Sequence, residues 1–78
     1  GDDVRAPMAG VIVSVDAAKG DAVSKGQTLI VIEAMKMEHR LAAPRDGVIE
    51  LIGVSPGDQV SNRAIVASLV SDTPAAKE

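Results

Sequence analysis

Few residues in this chain are equipped for chemistry. It has one histidine, His39, and no cysteine, and its remaining candidates are eleven carboxylates and the four lysines Lys19, Lys25, Lys36 and Lys77. No Ser/His/Asp nucleophile set and no metal-ligand set is visible in the sequence, with one histidine in total. A phosphate-cradling Gly-x-x-x-x-Gly-Lys-Ser/Thr loop is also missing, because Gly20 and Gly26 are wrongly spaced and no Lys-Ser/Thr follows them. Attention falls on Lys36, a primary amine on a flexible stem, framed by Glu33, Ala34, Met35, Met37 and Glu38. No base in that segment is an obvious activator, so any acylation of the amine needs a separate enzyme. The chain is expected to carry a reaction intermediate rather than catalyse a step alone.

The segment around Lys36 is a β-hairpin that disobeys two local rules. With Met35 and Lys36 as the loop, Ala34 pairs with Met37, Glu33 with Glu38, Ile32 with His39 and Ile30 with Leu41. A two-residue hairpin favours Asn-Gly or Gly-Gly, since both loop residues need positive φ, and Met and Lys there cost roughly 1–2 kcal/mol each. Glu33 opposite Glu38 sets like charges across the ladder, which is mildly destabilising. Violations that converge on one tip point to function. An exposed lysine at a turn is ordinarily only solvated; between two methionines at the centre of the chain it is a modification candidate. Met35 and Met37 could fill core, but a tip has little core to fill, and their adaptable side chains suit recognition by several partners. Glu33 and Glu38 are either a solvated face or an acidic mark read by a modifying enzyme. Ala34 is small enough to leave the tip uncrowded, and His39 is structural.

An internal repeat positions this hairpin. Residues 6–32 align with 43–69 at a constant offset of 37, matching Ala6, Pro7, Gly10, Val11, Ile12, Gly20, Asp21, Val23 and Ser24 to Ala43, Pro44, Gly47, Val48, Ile49, Gly57, Asp58, Val60 and Ser61. The identities sit where the backbone is most constrained: Pro before a strand, Gly at a bulge or tight entry, Gly-Asp in a turn. Agreement at such punctuation marks a duplicated unit rather than two similar Val-rich strands. Short runs bounded by turn residues predict strands near 3–6, 10–15, 22–24 and 28–35, then 37–43, 47–54, 59–61 and 65–71. Eight strands leave no room for a helix longer than one turn, so two small sheets must cover each other as a sandwich or flattened barrel. Gly26 has Arg63 as its counterpart, and Asn62 is expected to take the left-handed conformation there, giving a looser turn. A pseudo-twofold axis makes the loop at Met35 and Lys36 the counterpart of the place where the chain termini meet, and if the axis runs crosswise the tip and the termini lie at opposite poles. Residues 1–71 form the domain, and 72–78 read as a frayed tail.

Composition agrees. With 11 Val, 6 Ile, 4 Leu and 12 Ala but no Phe, Trp or Tyr among 78 residues, the core is aliphatic and β-branched. A net charge of -3 and the lack of aromatic stacking platforms argue against nucleic acid. No apolar run approaches the roughly 18–20 residues that span a bilayer. The chain starts at Gly1 with neither a basic n-region nor an apolar h-region, as an excised or processed domain would, so its address is not legible from this feature.

The run Glu33-Ala34-Met35-Lys36-Met37-Glu38-His39 resembles the biotinyl carrier domain of biotin-dependent carboxylases, most closely the compact domain of an acyl-CoA carboxylase subunit. The likeness extends through Ala6-Pro7-Met8-Ala9-Gly10, Gly20-Asp21-Ala22-Val23, Gly26-Gln27 and Ala43-Pro44-Arg45-Asp46-Gly47, and the protruding loop of some bacterial carriers is missing. The resemblance implies an all-β, flattened barrel or sandwich of two four-stranded antiparallel sheets, with biotin joined to Lys36 by an amide. It also implies a biotin protein ligase that presents an activated biotinyl adenylate to the lysine amine, and a biotin carboxylase domain and a carboxyltransferase as further partners. The domain itself would contribute carriage, not catalysis, to a ligase-class carboxylase in the cytoplasm or the mitochondrial matrix, without a membrane. Lipoyl domains share a duplicated barrel and hairpin lysine but usually read Asp-Lys-Ala at the tip. Barrel-sandwich adaptors of membrane-fusion type insert long helices between the halves.

Overall fold

The computed structural model describes residues 3–70. Eight strands follow one another: β1 (Asp3–Arg5), β2 (Gly10–Val15), β3 (Ala22–Val23), β4 (Thr28–Ala34), β5 (Met37–Ala42), β6 (Gly47–Ile52), β7 (Gln59–Val60) and β8 (Ile65–Leu69). Each expected strand is present, several trimmed by one or two residues at the ends where turn residues take over. The expected last residue of the eighth strand, Ser71, and the tail 72–78 lie outside the described residues.

Two four-stranded antiparallel sheets result, ordered β1-β8-β6-β3 and β5-β4-β2-β7. Adding 37 to each residue number converts β2, β3 and β4 into β6, β7 and β8, and β1 into β5, so one sheet order becomes the other. Each repeat unit therefore donates its short third strand to the sheet of its partner unit. The copies repeat several turn bonds. Gly20 N–H donates to Ile49 O at 2.8 Å and Gly57 N–H to Ile12 O at 2.8 Å. Ala18 N–H reaches Asp21 Oδ2 at 2.9 Å, and Ser55 N–H reaches Asp58 Oδ2 at 2.8 Å.

The bulges are duplicated too. Register shifts fall between Thr28 and Ile30 of β4 and, 37 residues on, between Ile65 and Ala67 of β8. Strict alternation would send one of two consecutive residues to solvent; the shift turns both inward. Leu29 with Ile30, and Val66 with Ala67, are accordingly buried pairs in the core, alongside Ile12, Ile32, Ile49 and Leu69.

One expectation needs correcting. Arg63, not Asn62, takes the left-handed conformation in the second unit, with φ 72° against 86° at Gly26. A conserved backbone bond decides this: Arg63 N–H donates to Ala6 O at 2.8 Å, the counterpart of Gly26 N–H to Ala43 O at 2.9 Å. Moving the left-handed residue one place earlier would break that bond. Arg63 thus carries strain of roughly 1–2 kcal/mol that glycine avoids in the first unit.

Candidate functional site

β4 and β5 form a hairpin with the register that the sequence suggests: Ala34 faces Met37, Glu33 faces Glu38, Ile32 faces His39 and Ile30 faces Leu41. Met35 and Lys36 both have positive φ, 54° and 68°, the type I′ arrangement that matches the right-handed twist of the strands. The turn therefore forms despite residues that resist it. Met35 is 86% exposed and Met37 62%, so neither serves the core. Lys36, Glu33 and Glu38 are exposed. Among the described residues none of the three has an ion-pair partner, the ion pair there being Arg5 with Asp3 at 3.9 Å. His39 is half-buried on β5 and contributes to the ladder rather than to the tip.

Beneath the tip lies a contact that the sequence does not announce. Gly10 opens β2 beside the end of β4, and its backbone φ is not in the left-handed range. What excludes a side chain there is space. A Cβ on Gly10 would collide with the carbonyl oxygen of Glu33 and sit 3.0 Å from Ile32 Cγ1 and 3.1 Å from the Ala34 Cβ. Ala34 itself is 5% exposed. Its small size thus serves the seat under the tip. The sequence signals for Gly10 are its repeat match to Gly47 and a glycine in a strand where entropy disfavours it, and neither names the neighbour that excludes a side chain.

The tip points away from Asp3 and Val70, the first and last described residues. At the base of the hairpin, Ala43 N–H donates to Gln27 O at 2.8 Å and Gly26 N–H to Ala43 O at 2.9 Å. There Lys25 N–H meets Asp46 Oδ1 at 2.7 Å, and the Arg45 guanidinium donates to Val70 O at 2.6 Å. This chain of contacts fastens Val70, the last described residue, to the base. The seven residues of β4, rising about 3.3 Å each, place the tip about 20 Å further on. Loops 6–9 and 61–64 share the pole of Lys36: Gly10 pairs with Val60, and the Arg5 guanidinium donates to Arg63 O at 2.9 Å. An exposed amine without an ion pair, on a short turn above a packed seat, is accessible to an acylating enzyme and has little conformational freedom in its backbone.

Comparison with known proteins gives this geometry a family. Residues 2–69 match the family model described as Biotin-requiring enzyme. The chain is 39% identical over 69 residues to the biotin-dependent acyl-coenzyme A carboxylase alpha3 subunit of Mycobacterium leprae (strain TN), covering 88% of this chain and 12% of that protein. It superposes on Kluyveromyces lactis urea carboxylase with a TM-score of 0.83 and 33% identity, over 88% of this chain and 6% of the other. The lipoyl domain of the 2-oxoglutarate dehydrogenase complex from Azotobacter vinelandii aligns with a TM-score of 0.79 and 26% identity, over 91% of this chain and 98% of that domain. The chain therefore spans only a small part of the carboxylases it matches. Because the match runs through both repeat units, hairpin included, the chain belongs to the biotin/lipoyl family of biotin-requiring enzymes, as one of its biotin carrier domains.

Proposed function

We propose that Lys36 is the residue to which biotin is joined, and that the domain moves a carboxyl group between a biotin carboxylase domain and a carboxyltransferase of a larger enzyme. The observation that carries this reading is the pair of positive-φ residues Met35 and Lys36 at the apex of the hairpin, at the pole opposite Asp3 and Val70. The site fits the group: an exposed primary amine, without an ion pair among the described residues, on a short turn about 20 Å from the base of its hairpin. Bound biotin supplies a ureido nitrogen that accepts and gives up a carboxyl group. Everything else is positioning. Lys36 provides the tether, Gly10 and Ala34 hold the turn at a fixed height, and Met35 and Met37 offer an apolar collar to whichever protein receives the arm.

Tethering is what makes this useful. A group that swings on one domain has a high effective concentration at two separate sites, provided the span is within reach. Ligase, carboxylase and carboxyltransferase all have to grip this one pole, which suits methionines that adapt to different surfaces. The cytoplasm or an organelle matrix, where ATP-dependent carboxylation takes place, is the matching compartment.

Coexpression with a biotin protein ligase tests the proposal. Streptavidin blotting is expected to label the wild type and not Lys36→Arg, and labelling that survives the substitution refutes the assignment. Intact mass distinguishes biotin from lipoate, the group implied by the second structural relationship. Acylation also removes one positive charge, taking the formal charge from 8 − 11 = −3 to 7 − 11 = −4, a change visible on isoelectric focusing.

A further inference from the structure

The two poles of this molecule are built from the same loops, and comparing them exposes a difference. At the pole of Val70, three side chains tie the loops together: Gln27 Oε1 accepts from Ser24 N–H at 3.1 Å, Asp46 Oδ1 from Lys25 N–H at 2.7 Å, and Arg45 reaches Val70 O at 2.6 Å. At the pole of Lys36 the corresponding positions are Ala64, Ala9 and Met8, none of which can make such a bond. The backbone frame is nonetheless retained: Gln27 N–H to Ser24 O at 2.9 Å is repeated as Ala64 N–H to Ser61 O at 3.0 Å. Consequently the N–H of Asn62, the counterpart of Lys25, has no acceptor among the described residues. An open cleft lies where the counterpart of the Asp46 carboxylate would be, lined by Ala9, Gly10, Val60, Ser61 and Asn62.

We propose that this cleft is a docking site for an acidic side chain, Asp or Glu, of the enzyme that acylates Lys36; this rests on the reading of Lys36 as the attachment residue. The molecule itself supplies the template, a carboxylate bonded to the equivalent amide 37 residues earlier. Position fits the partner. The cleft wall at Gly10 adjoins Ala34, two residues from Lys36; because Arg5 is paired with Asp3 and the exposed Glu33 and Glu38 share this pole with Arg63, the docking rests on the open amide and not on net charge. Before acylation there is no arm, so the enzyme has to contact the domain immediately around the lysine. Each copy of the cleft takes a carboxylate: one from its own chain, the other from the partner.

Ala9→Asp supplies the carboxylate in cis. It is expected to raise the melting temperature by a few degrees, to slow exchange of the Asn62 amide proton, and to lower kcat/KM for biotinylation by a purified biotin protein ligase about tenfold, or about 1.4 kcal/mol. Ala9→Asn fills the cleft without charge and must also lose activity, which excludes simple repulsion. Asp46→Ala opens the other cleft and should lower stability while leaving kcat/KM unchanged. Unaltered kcat/KM in a folded Ala9→Asp protein overturns the docking proposal, whether or not the Asn62 amide becomes protected. A wild type that the ligase fails to label would instead overturn the assignment of Lys36.

Discussion

Substituting Gly10 by Ala adds one methyl group under the hairpin tip, and its cost follows from the neighbours. The new Cβ would overlap the Glu33 carbonyl oxygen and approach Ile32 and Ala34 closely. Glu33 is held on both sides, against Val11 of β2 and Glu38 of β5, so its carbonyl cannot retreat without carrying the tip with it. Overpacking of this kind costs about 1–3 kcal/mol. For a domain of this size, at roughly 4–8 °C per kcal/mol, the melting temperature falls by roughly 5–20 °C. Gly47, the repeat counterpart, serves as the internal control. There a Cβ would lie 2.6 Å from Nη1 of Arg45, the far end of a flexible side chain, and 3.7 Å from Leu69 Cδ1. Displacing Arg45 weakens its bonds to Asp46 O and Val70 O, each contributing about 0.5–1.5 kcal/mol, and the smaller unfolded-state entropy of Ala, about 0.4–1 kcal/mol, offsets part of that, so Gly47→Ala should cost less than Gly10→Ala. Thermal melts of both variants, with biotinylation rates measured well below either transition, provide the assay. Gly10→Ala should also be acylated more slowly than its folded fraction explains, because the turn is displaced. Equal melting temperatures for the two variants would refute the reasoning.

Other consequences are independent of that seat. Arg63→Gly removes left-handed strain without touching the Arg63 N–H to Ala6 bond, and should stabilise the domain by about 1 kcal/mol, measured by urea denaturation; a destabilised variant contradicts the strain assignment. Leu29→Ala, at a fully buried bulge position, should cost about 2–5 kcal/mol by the same method, whereas Met35→Ala, at 86% exposure, should alter stability by less than about 0.5 kcal/mol. Inserting one glycine between Lys36 and Met37 should leave the far-ultraviolet spectrum and melting temperature nearly intact yet slow biotinylation, and a normal rate would show that tip geometry is immaterial.

Much of this architecture was legible because duplication and hairpin register are both set by local chemistry. The Pro, Gly and Gly-Asp matches located the repeat, and a two-residue loop at Met35 and Lys36 fixed all the cross-strand partners down to Ile30 and Leu41. Other features depend on contacts far apart in sequence. Asn62 was the natural choice for a left-handed residue on intrinsic preference, but a hydrogen bond from the next residue to Ala6 overrides preference and imposes the strain on Arg63. The bulges that bury Leu29 beside Ile30 do not show in an apolar run, since continuous hydrophobicity looks the same with or without a register shift. Likewise Gly10 read as punctuation, and only the proximity of Glu33 reveals it as a seat. The open cleft at Ala9 and Asn62 emerges from comparing the two poles in three dimensions, although the replacement of Asp46 by Ala9 was already present in the aligned repeats.

Site-resolved mass mapping after ligase coexpression is the most direct test of the carrier assignment. Proteolysis followed by tandem mass spectrometry should find a single biotin, on Lys36, with Lys19, Lys25 and Lys77 unmodified. Biotin on any of those three, or a wild-type protein with none under conditions that label an authentic carrier, would contradict it.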